Sequence, residues 1–401
     1  MAANPTFTTP TYAGEFFDQL FGPTVLNPSN LEDLGLATVI DRAKYKETIY
    51  DGDDTVELAN SSPNYTSQTS TANLKEINLE LIPYQFNKTI SLDTIRLSWY
   101  SNKLSAGSIN DYTYDQLVDQ YIKMVYVPKL NQAQSNLVLN GKNGLGADIG
   151  TYSFDATYNG VYQLFNASTE IKKVSIAADQ VTVVSVAKGA TLTTLTVATD
   201  VRNSLQIDNI ISIRGAAGTG WSTALNGDFI VKDLTATTVV LELNTDALTN
   251  ANYTASSGKI RFINANNMVK KIASHYRAIP LQVRRNGVKI VIAAHLEAEW
   301  QFAISEAQQN GGEFYLKAHE LTFINSSIVV LDNAPANTIG SWEGSRVFYG
   351  YDLSDDYSQV QVLWQGDTTG DEVYRLKGRM KTGLALTAKF QREITLSTPD
   401  A

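Results

Sequence analysis

Imidazoles are the commonest metal ligands and general bases near neutral pH, and this chain has three, His275, His295 and His319. They lie far apart and share no ligand spacing. A zinc or hydrolase site needs two within a helical turn or a carboxylate at fixed spacing, and His319-Glu320 lacks the second histidine of H-E-x-x-H. All three are therefore expected to be ordinary surface or capping residues. The run Gly215-Ala216-Ala217-Gly218-Thr219-Gly220 has the glycine content of a phosphate cradle but not the Lys-Ser/Thr that follows one. It is expected to enter a turn and a strand instead of a helix. Asn140-Gly141-Lys142-Asn143-Gly144 fails in the same way. Asp51-Gly52-Asp53-Asp54 and the group Asp352, Asp355, Asp356 lack the ladder of a calcium loop ending in a bidentate Glu, so turn chemistry is expected of both. A structural Ca²⁺ at a subunit contact is the remaining metal reading. Cysteine is absent, which removes disulfides, thiolate metal sites and cysteine nucleophiles, and no Gly-x-Ser-x-Gly elbow occurs. No catalytic, metal or cofactor-binding residue emerges, and the chain reads as a non-enzyme.

The elements that would have positioned such residues are more informative. A chain of 401 residues with 43% hydrophobic and 10% aromatic content is a folded protein of two or three domains. Its 20 tyrosines, with many Thr and Asn, favour β structure. A net charge of −9 argues against a protein that coats nucleic acid, which needs clustered Lys and Arg, but suits a container that surrounds it. There is no basic region followed by an apolar run at the N-terminus. With the chain starting at Met1, no cleaved leader is expected. No run of about 18 apolar residues predicts a membrane helix.

Residues 1–36, rich in Thr, Pro and Asn, cannot build a core, yet they carry Phe16, Phe17, Leu20 and Phe21. They read as an arm docking on the chain's own body or on a neighbour, against the simpler alternative of a frayed terminus. Residues 37–100 read as a long hairpin with Ile77, Leu79 and Leu81 alternating in its second limb and a polar tip. Residues 111–140 are the strongest helix, with Leu117, Tyr121 and Val125 every four residues; Asp111 or Thr113 would cap it, Pro128 would kink or divide it, and Gly141 and Gly144 would end it. From 172 to 263 short β-branched runs separated by polar turns predict an inserted β-sandwich or barrel. Helix signals return with Met268, Ile272 and Tyr276, then a buried strand at 288–294, then a helix on Leu296, Trp300 and Ile304. Strands follow, the last expected to alternate through Leu384, Leu386, Ala388 and Phe390.

This order of elements resembles the major capsid protein of tailed double-stranded-DNA bacteriophages, whose fold herpesvirus shells share. The likeness is carried by LKEINLELIPYQFNKTISLDTIR ahead of the helix, by SNLVLNGKNG at the helix end, and by VVLDNAP, RVFYGYDL, VQVLWQ and EVYRLKGRMKTGLALTAKFQREITL near the C-terminus. It implies an α+β chain with an N-terminal arm (1–36), an extended hairpin loop and its base (37–100), and a spine helix with part of a peripheral domain (101–171). The inserted β domain (172–263) stands outside the minimal family pattern, and residues 264–401 would form the axial domain and return to the peripheral one.

The same resemblance implies a virion protein that self-assembles, as hexamers and pentamers, into an icosahedral shell around DNA in the bacterial cytoplasm. Portal, scaffold and decoration proteins would be its partners, with no sequence-specific DNA binding, no membrane and no cofactor. Lys44, Lys46, Glu47 and Glu57 on the hairpin, Arg96 at its base, and Phe16 and Phe17 on the arm become candidate inter-subunit contacts; for each charge, a solvated surface role is the alternative. Some relatives cross-link a hairpin lysine to a neighbour's asparagine, and nothing here identifies such a pair. Two other readings compete: a tail-tube or decoration protein, which would lack the helix at 111–140, and a β-rich adhesin or carbohydrate-binding protein, which would be exported.

Overall fold

The computed structural model describes residues 11–12, 31–40, 46–53, 73–91, 121–141, 158–175, 180–285, 287–309, 321–351, 359–364, 373–387 and 393–399. Along the chain come β1 (Thr11–Tyr12), β2 (Thr38–Ile40), β3 (Lys46–Asp53), β4 (Asn73–Glu80) and β5 (Ile82–Ser91), then helices α1 (Val127–Asn140) and α2 (Val161–Ala167) and strand β6 (Lys172–Ser175). Next are β7 (Val181–Ala187), β8 (Leu192–Val197), β9 (Ile210–Arg214), α3 (Trp221–Leu225), β10 (Gly227–Leu234), β11 (Thr238–Glu242) and β12 (Lys259–Phe262). They are followed by α4 (Ala265–Ala278), α5 (Leu281–Arg285), β13 (Ile290–Ala293), α6 (His295–Gln309), β14 (Thr322–Phe323), β15 (Ser326–Leu331) and β16 (Ile339–Ser341). The chain closes with β17 (Val347–Tyr351), β18 (Gln359–Trp364), β19 (Val373–Leu386) and β20 (Thr395–Thr398). The class is α+β. Two units divide it: residues 1–166 with 344–389, and residues 167–343 with 390–401.

The first unit is organised on β19, which is long enough to serve three partners. β5 pairs with residues 373–382, β18 with 374–379, and β17 with 382–386, all antiparallel. Period-two burial gives β19 one covered face, with Tyr374, Leu376, Met380 and Thr382 inside. Helix α1 meets that face: the Tyr84 hydroxyl on β5 donates to Gln134 Oε1 at 2.5 Å and lies 3.7 Å from Met380 Sδ. Pro128 lacks the N–H that a continuous α-helix would need. The chain answers with a π turn over Ile122–Tyr126, in which the Val127 N–H reaches back to the Ile122 carbonyl. The expected division at the proline is thus a change of helix type. Gly141 ends α1 with φ +67°, and a Cβ there would meet the backbone of Tyr158 and Gly160.

The second unit holds a closed barrel in the order β10-β11-β8-β7-β12-β9 and a six-stranded sheet in the order β14-β15-β13-β16-β20-β6. Of the two forms expected for the β insert, the barrel is the one present. Bulges in β7 (Val183/Ser185) and β10 (Val231/Asp233) bend the strands toward closure. Its core contains Val183, Leu195, Ile211, Ile213, Val231, Leu241 and Trp221, all buried. The Trp221 indole N–H donates to the Thr249 carbonyl and its ring packs edge-on to Tyr253. In the sheet, β13 is buried along its whole length and runs parallel to β15. Helices α4 and α6 place Met268, Ile272, Leu296, Trp300 and Ile304 in one cluster with Ile290, Ile292, Ile328 and Ile339.

Several sequence expectations change. Residues 172–175, read with the β insert, instead pair parallel with β20 in the six-stranded sheet. On β19 the covered residues near its end are Gly383 and Ala385, while Leu384 and Leu386 are half-exposed. The cause is close packing, since Gly383 lies against the backbone at Glu80–Leu81. The glycine run 215–220 does enter a helix, the five-residue α3, before β10. Asp51 and Asp53 sit within strand β3, not in a turn; Asp54, Asp352, Asp355 and Asp356 lie outside the described residues.

Candidate functional site

Strands β3 and β4 form a two-stranded ribbon of their own, with eight register pairs from Lys46↔Glu80 to Asp53↔Asn73. Among the described residues no third strand joins it. Eight residues at about 3.4 Å each make it roughly 27 Å long. Its base enters a core: Leu79 and Leu81 are fully buried with Ala385, against Ile40 and Phe348. The register pairs residues of opposite charge at two positions, Lys46 with Glu80 and Asp51 with Lys75.

That register bears on the sequence-predicted contacts. Lys46 and Glu47 lie on β3, and Lys46 stands opposite a carboxylate of its own chain. Lys44, Glu57, Arg96, Phe16 and Phe17 lie outside the described residues. A feature the sequence reading passed over is the row Arg375, Lys377, Arg379 and Lys381, which period-two geometry puts on the outer face of β19. The β5 register partners of Arg375, Lys377 and Arg379 are the polar Thr89, Asn87 and Gln85, and that of Lys381 is Pro83. Arg375 Nε donates to Asn87 Oδ1 at 3.0 Å. Strict alternation of cations with Leu376, Gly378 and Met380 was the signal that could have found it.

In the second unit the barrel is joined to the sheet and helices through buried amides. Asn337, fully buried at φ +53° in the β15–β16 loop, accepts from the Ile263 N–H at 2.8 Å. Its amide donates to the Ile210 carbonyl and to Ser212 Oγ, both at 3.0 Å. Asn264 donates to Asn209 Oδ1, and Asn209 donates to Glu299 Oε1 at 3.1 Å. Glu299 Oε2 accepts the Ala265 N–H at 2.7 Å, a carboxylate on the first turn of α4. A cleft of about 570 Å³ beside this network is lined by Asp208, Asn266, Glu299 and Phe302 among others. Both Glu299 oxygens are engaged in holding the junction together.

Neither of the two described histidines is an exposed surface residue. His275, on the sheet side of α4, is fully buried with Nδ1 2.7 Å from Ser397 Oγ. Burial pushes its pKa down to about 3. His295 is likewise held down to about 4 by burial, with an opposing contribution from its bond to Asn337. His319 lies outside the described residues. In the first unit, burial raises the Tyr158 phenol well above its ordinary range, and its hydroxyl lies 3.1 Å from Thr382 Oγ1. These groups are locked neutral in cores. Among the described residues no group of three His, Asp or Glu side chains could hold a metal ion, and no helix is long and apolar enough to cross a membrane.

No family model and no curated protein matches the sequence. Solved structures similar to this chain include capsids and phage proteins. The capsid of an empty GTA particle is 13% identical with a TM-score of 0.44, covering 93% of this chain and 89% of that one. The satellite phage P4 procapsid with its size-determination protein is 10% identical at TM-score 0.49, covering 99% and 93%. Mycobacterium phage Bobi gives 9% identity at TM-score 0.45, covering 100% and 95%. With scores below 0.5, the functional assignment has to rest on the chain's own residues.

Proposed function

We propose that this chain is a shell-forming structural protein of the tailed-phage major capsid type, and not an enzyme. The β3–β4 ribbon carries the reading. A two-stranded ribbon is marginal in water on its own; among the described residues this one has no third strand, and its base enters a core. Such an element gains its stability on another surface, and in a homo-oligomer that surface belongs to a neighbouring copy. The ribbon carries the carboxylates Glu47, Asp51, Asp53, Glu76 and Glu80 against the two lysines Lys46 and Lys75, and the outer face of β19 carries four cations, so the two surfaces are opposite in net charge.

Lys44, Lys46, Glu47, Glu57 and Arg96, with Phe16 and Phe17 of the arm, are the further contacts we assign to such interfaces. Weak contacts repeated around hexamers and pentamers close a curved lattice by multivalency. In this reading the shell encloses double-stranded DNA, is completed by portal, scaffold and decoration proteins, and is assembled in the host cytoplasm. Helix α1 with its preceding π turn supports a capsid subunit over a β-dominated tail-tube protein.

Electron microscopy of the purified full chain tests the proposal. Icosahedral shells, or hexameric and pentameric rings, are the expected result. A protein that stays monomeric, alone and with a scaffold partner, overturns it.

A further inference from the structure

The net charge of −9 conceals a sharp local segregation. Residues 247–296 contain eight Lys and Arg and no Asp or Glu. Two of these cations are held by their own fold: Lys259 Nζ donates to Thr182 Oγ1, and the Arg261 guanidinium donates to the Pro399 carbonyl. The outward set is different. On α4, Lys270, Ser274 and Arg277 are exposed at spacings of four and three residues, which is one helical face. On α5, Arg285 is exposed, and Arg284 lies with its guanidinium carbon 5.6 Å from the centre of the Tyr276 ring. That stacking brings Arg284 back to the last turn of α4. Among the described residues no ion pair involves Lys270, Arg277 or Arg285.

Cations at the end of a helix favour its dipole, which accounts for Arg277 but not for Lys270 in the middle of α4. Nor does it account for an acid-free stretch in an acidic chain. We infer that this α4–α5 face is a contact surface for the phosphate backbone of duplex DNA, independent of base sequence. Composition separates this occupant from a second copy of the chain. Protein interfaces centre on apolar and aromatic groups and are depleted in lysine, whereas Leu281 is the one large apolar side chain exposed on these two helices. Phosphate contacts draw on Lys, Arg, Ser, Asn and Gln, and exposed Asn266, Ser274 and Gln282 accompany the cations. From Lys270 to Arg277 the helix rises about 10.5 Å, the span of about three nucleotides along one strand.

A container need not touch its contents, so this goes beyond the shell proposal, and its test needs no assembly. A short fluorescein-labelled DNA duplex is titrated with the unassembled full chain, and anisotropy is followed across salt concentrations. Three phosphate contacts predict a log–log slope of about −2.7, or roughly fortyfold tighter binding at about 50 mM than at about 200 mM salt. The variant K270Q/R277Q/R285Q should lose that slope and most of the binding, with circular dichroism and melting unchanged. The single K270Q variant, should the triple one melt early, should lose about one third of the slope. Wild-type chain that ignores the duplex at low salt, or a triple variant with the wild-type slope, overturns the inference. So does a triple variant that loses self-association in sedimentation while still binding DNA, which would make the face a subunit contact. Shells that assemble without any such DNA binding would sink this inference alone, and DNA binding by a chain that never assembles would sink only the shell proposal.

Discussion

The barrel and the β3–β4 ribbon are both antiparallel β structure in one chain, and they solve the edge problem in opposite ways. The barrel closes on itself, fills its interior with Trp221 and β-branched residues, and meets the loop between β15 and β16 through the buried Asn337 amide. The ribbon pairs strand to strand and leaves both outer edges without a described partner. A closed module needs nothing further to be stable, while an open one is built to be completed by something else. The largest test of that contrast is deletion of residues 51–72, which shortens the ribbon. The monomer should keep its far-ultraviolet dichroism and its melting transition, while sedimentation shows shell formation abolished. Normal shells from the deletion would break the comparison.

The junction beside the barrel offers a graded test. Asn337→Ala removes two donors and an acceptor from a fully buried position and leaves the Ile263 N–H and Ile210 carbonyl without that partner. Alanine also tolerates φ +53° less well than asparagine. A loss of about 3 kcal/mol is expected from orphaning such groups, read in chemical denaturation. Because the barrel core is untouched, limited proteolysis should cut the chain flanking residues 180–263 before it cuts within them. Cleavage appearing first inside the barrel would show that the barrel is not the self-sufficient partner.

The ribbon's base should be sensitive for a packing reason. A Cβ on Gly383 would stand 2.2 Å from the Glu80 carbonyl oxygen, which is backbone and cannot swing away. Gly383→Ala should cost about 1–3 kcal/mol by overpacking, and should weaken assembly more than the barrel's own stability. A variant that assembles like wild type would mean the ribbon is not levered from this point.

How much of this was legible in sequence follows from the range of the interactions. The barrel strands were visible because β-branched runs at 181–186, 191–199 and 210–215 carry a local signal, and so were α4 and α6, with core residues every four positions. What escaped was set by partners distant in sequence. Leu384 and Leu386 have the strand alternation, but the approach of Glu80 reserves the covered face for Gly383 and Ala385. His275 looked like a surface residue because nothing local shows that Ser397, far along the chain, would cover it. The network of Asn209, Asn264, Asn337 and Glu299 was equally hidden, since asparagines this common in the chain carry no individual signal. Of the predicted contacts, Lys46 and Glu47 lie on the ribbon, but whether they meet a neighbour is a property of two chains.

The smallest expected effect separates the two regions by pH. His275 and His295 both belong to the second unit and both have folded pKa values below the ordinary 6.5, about 3 and about 4. A buried neutral imidazole binds its proton more weakly than the unfolded chain does, so its stabilising contribution is complete above pH about 6.5. It is lost progressively as pH falls through the window down to the folded pKa. At pH 6 each histidine should cost about 1 kcal/mol relative to pH 8, an amount set by the unfolded value because the folded form is still unprotonated there. Denaturation followed at Trp221, Trp300 and Trp342, all in the second unit and all buried, should therefore shift to lower denaturant between pH 8 and 6. His275→Asn, whose amide can keep a bond to Ser397, should remove about half of that shift, leaving the part due to His295. An unchanged pH dependence in the variant would mean that His275 can take up a proton in place, and that the second unit is less tightly closed around it than its burial requires.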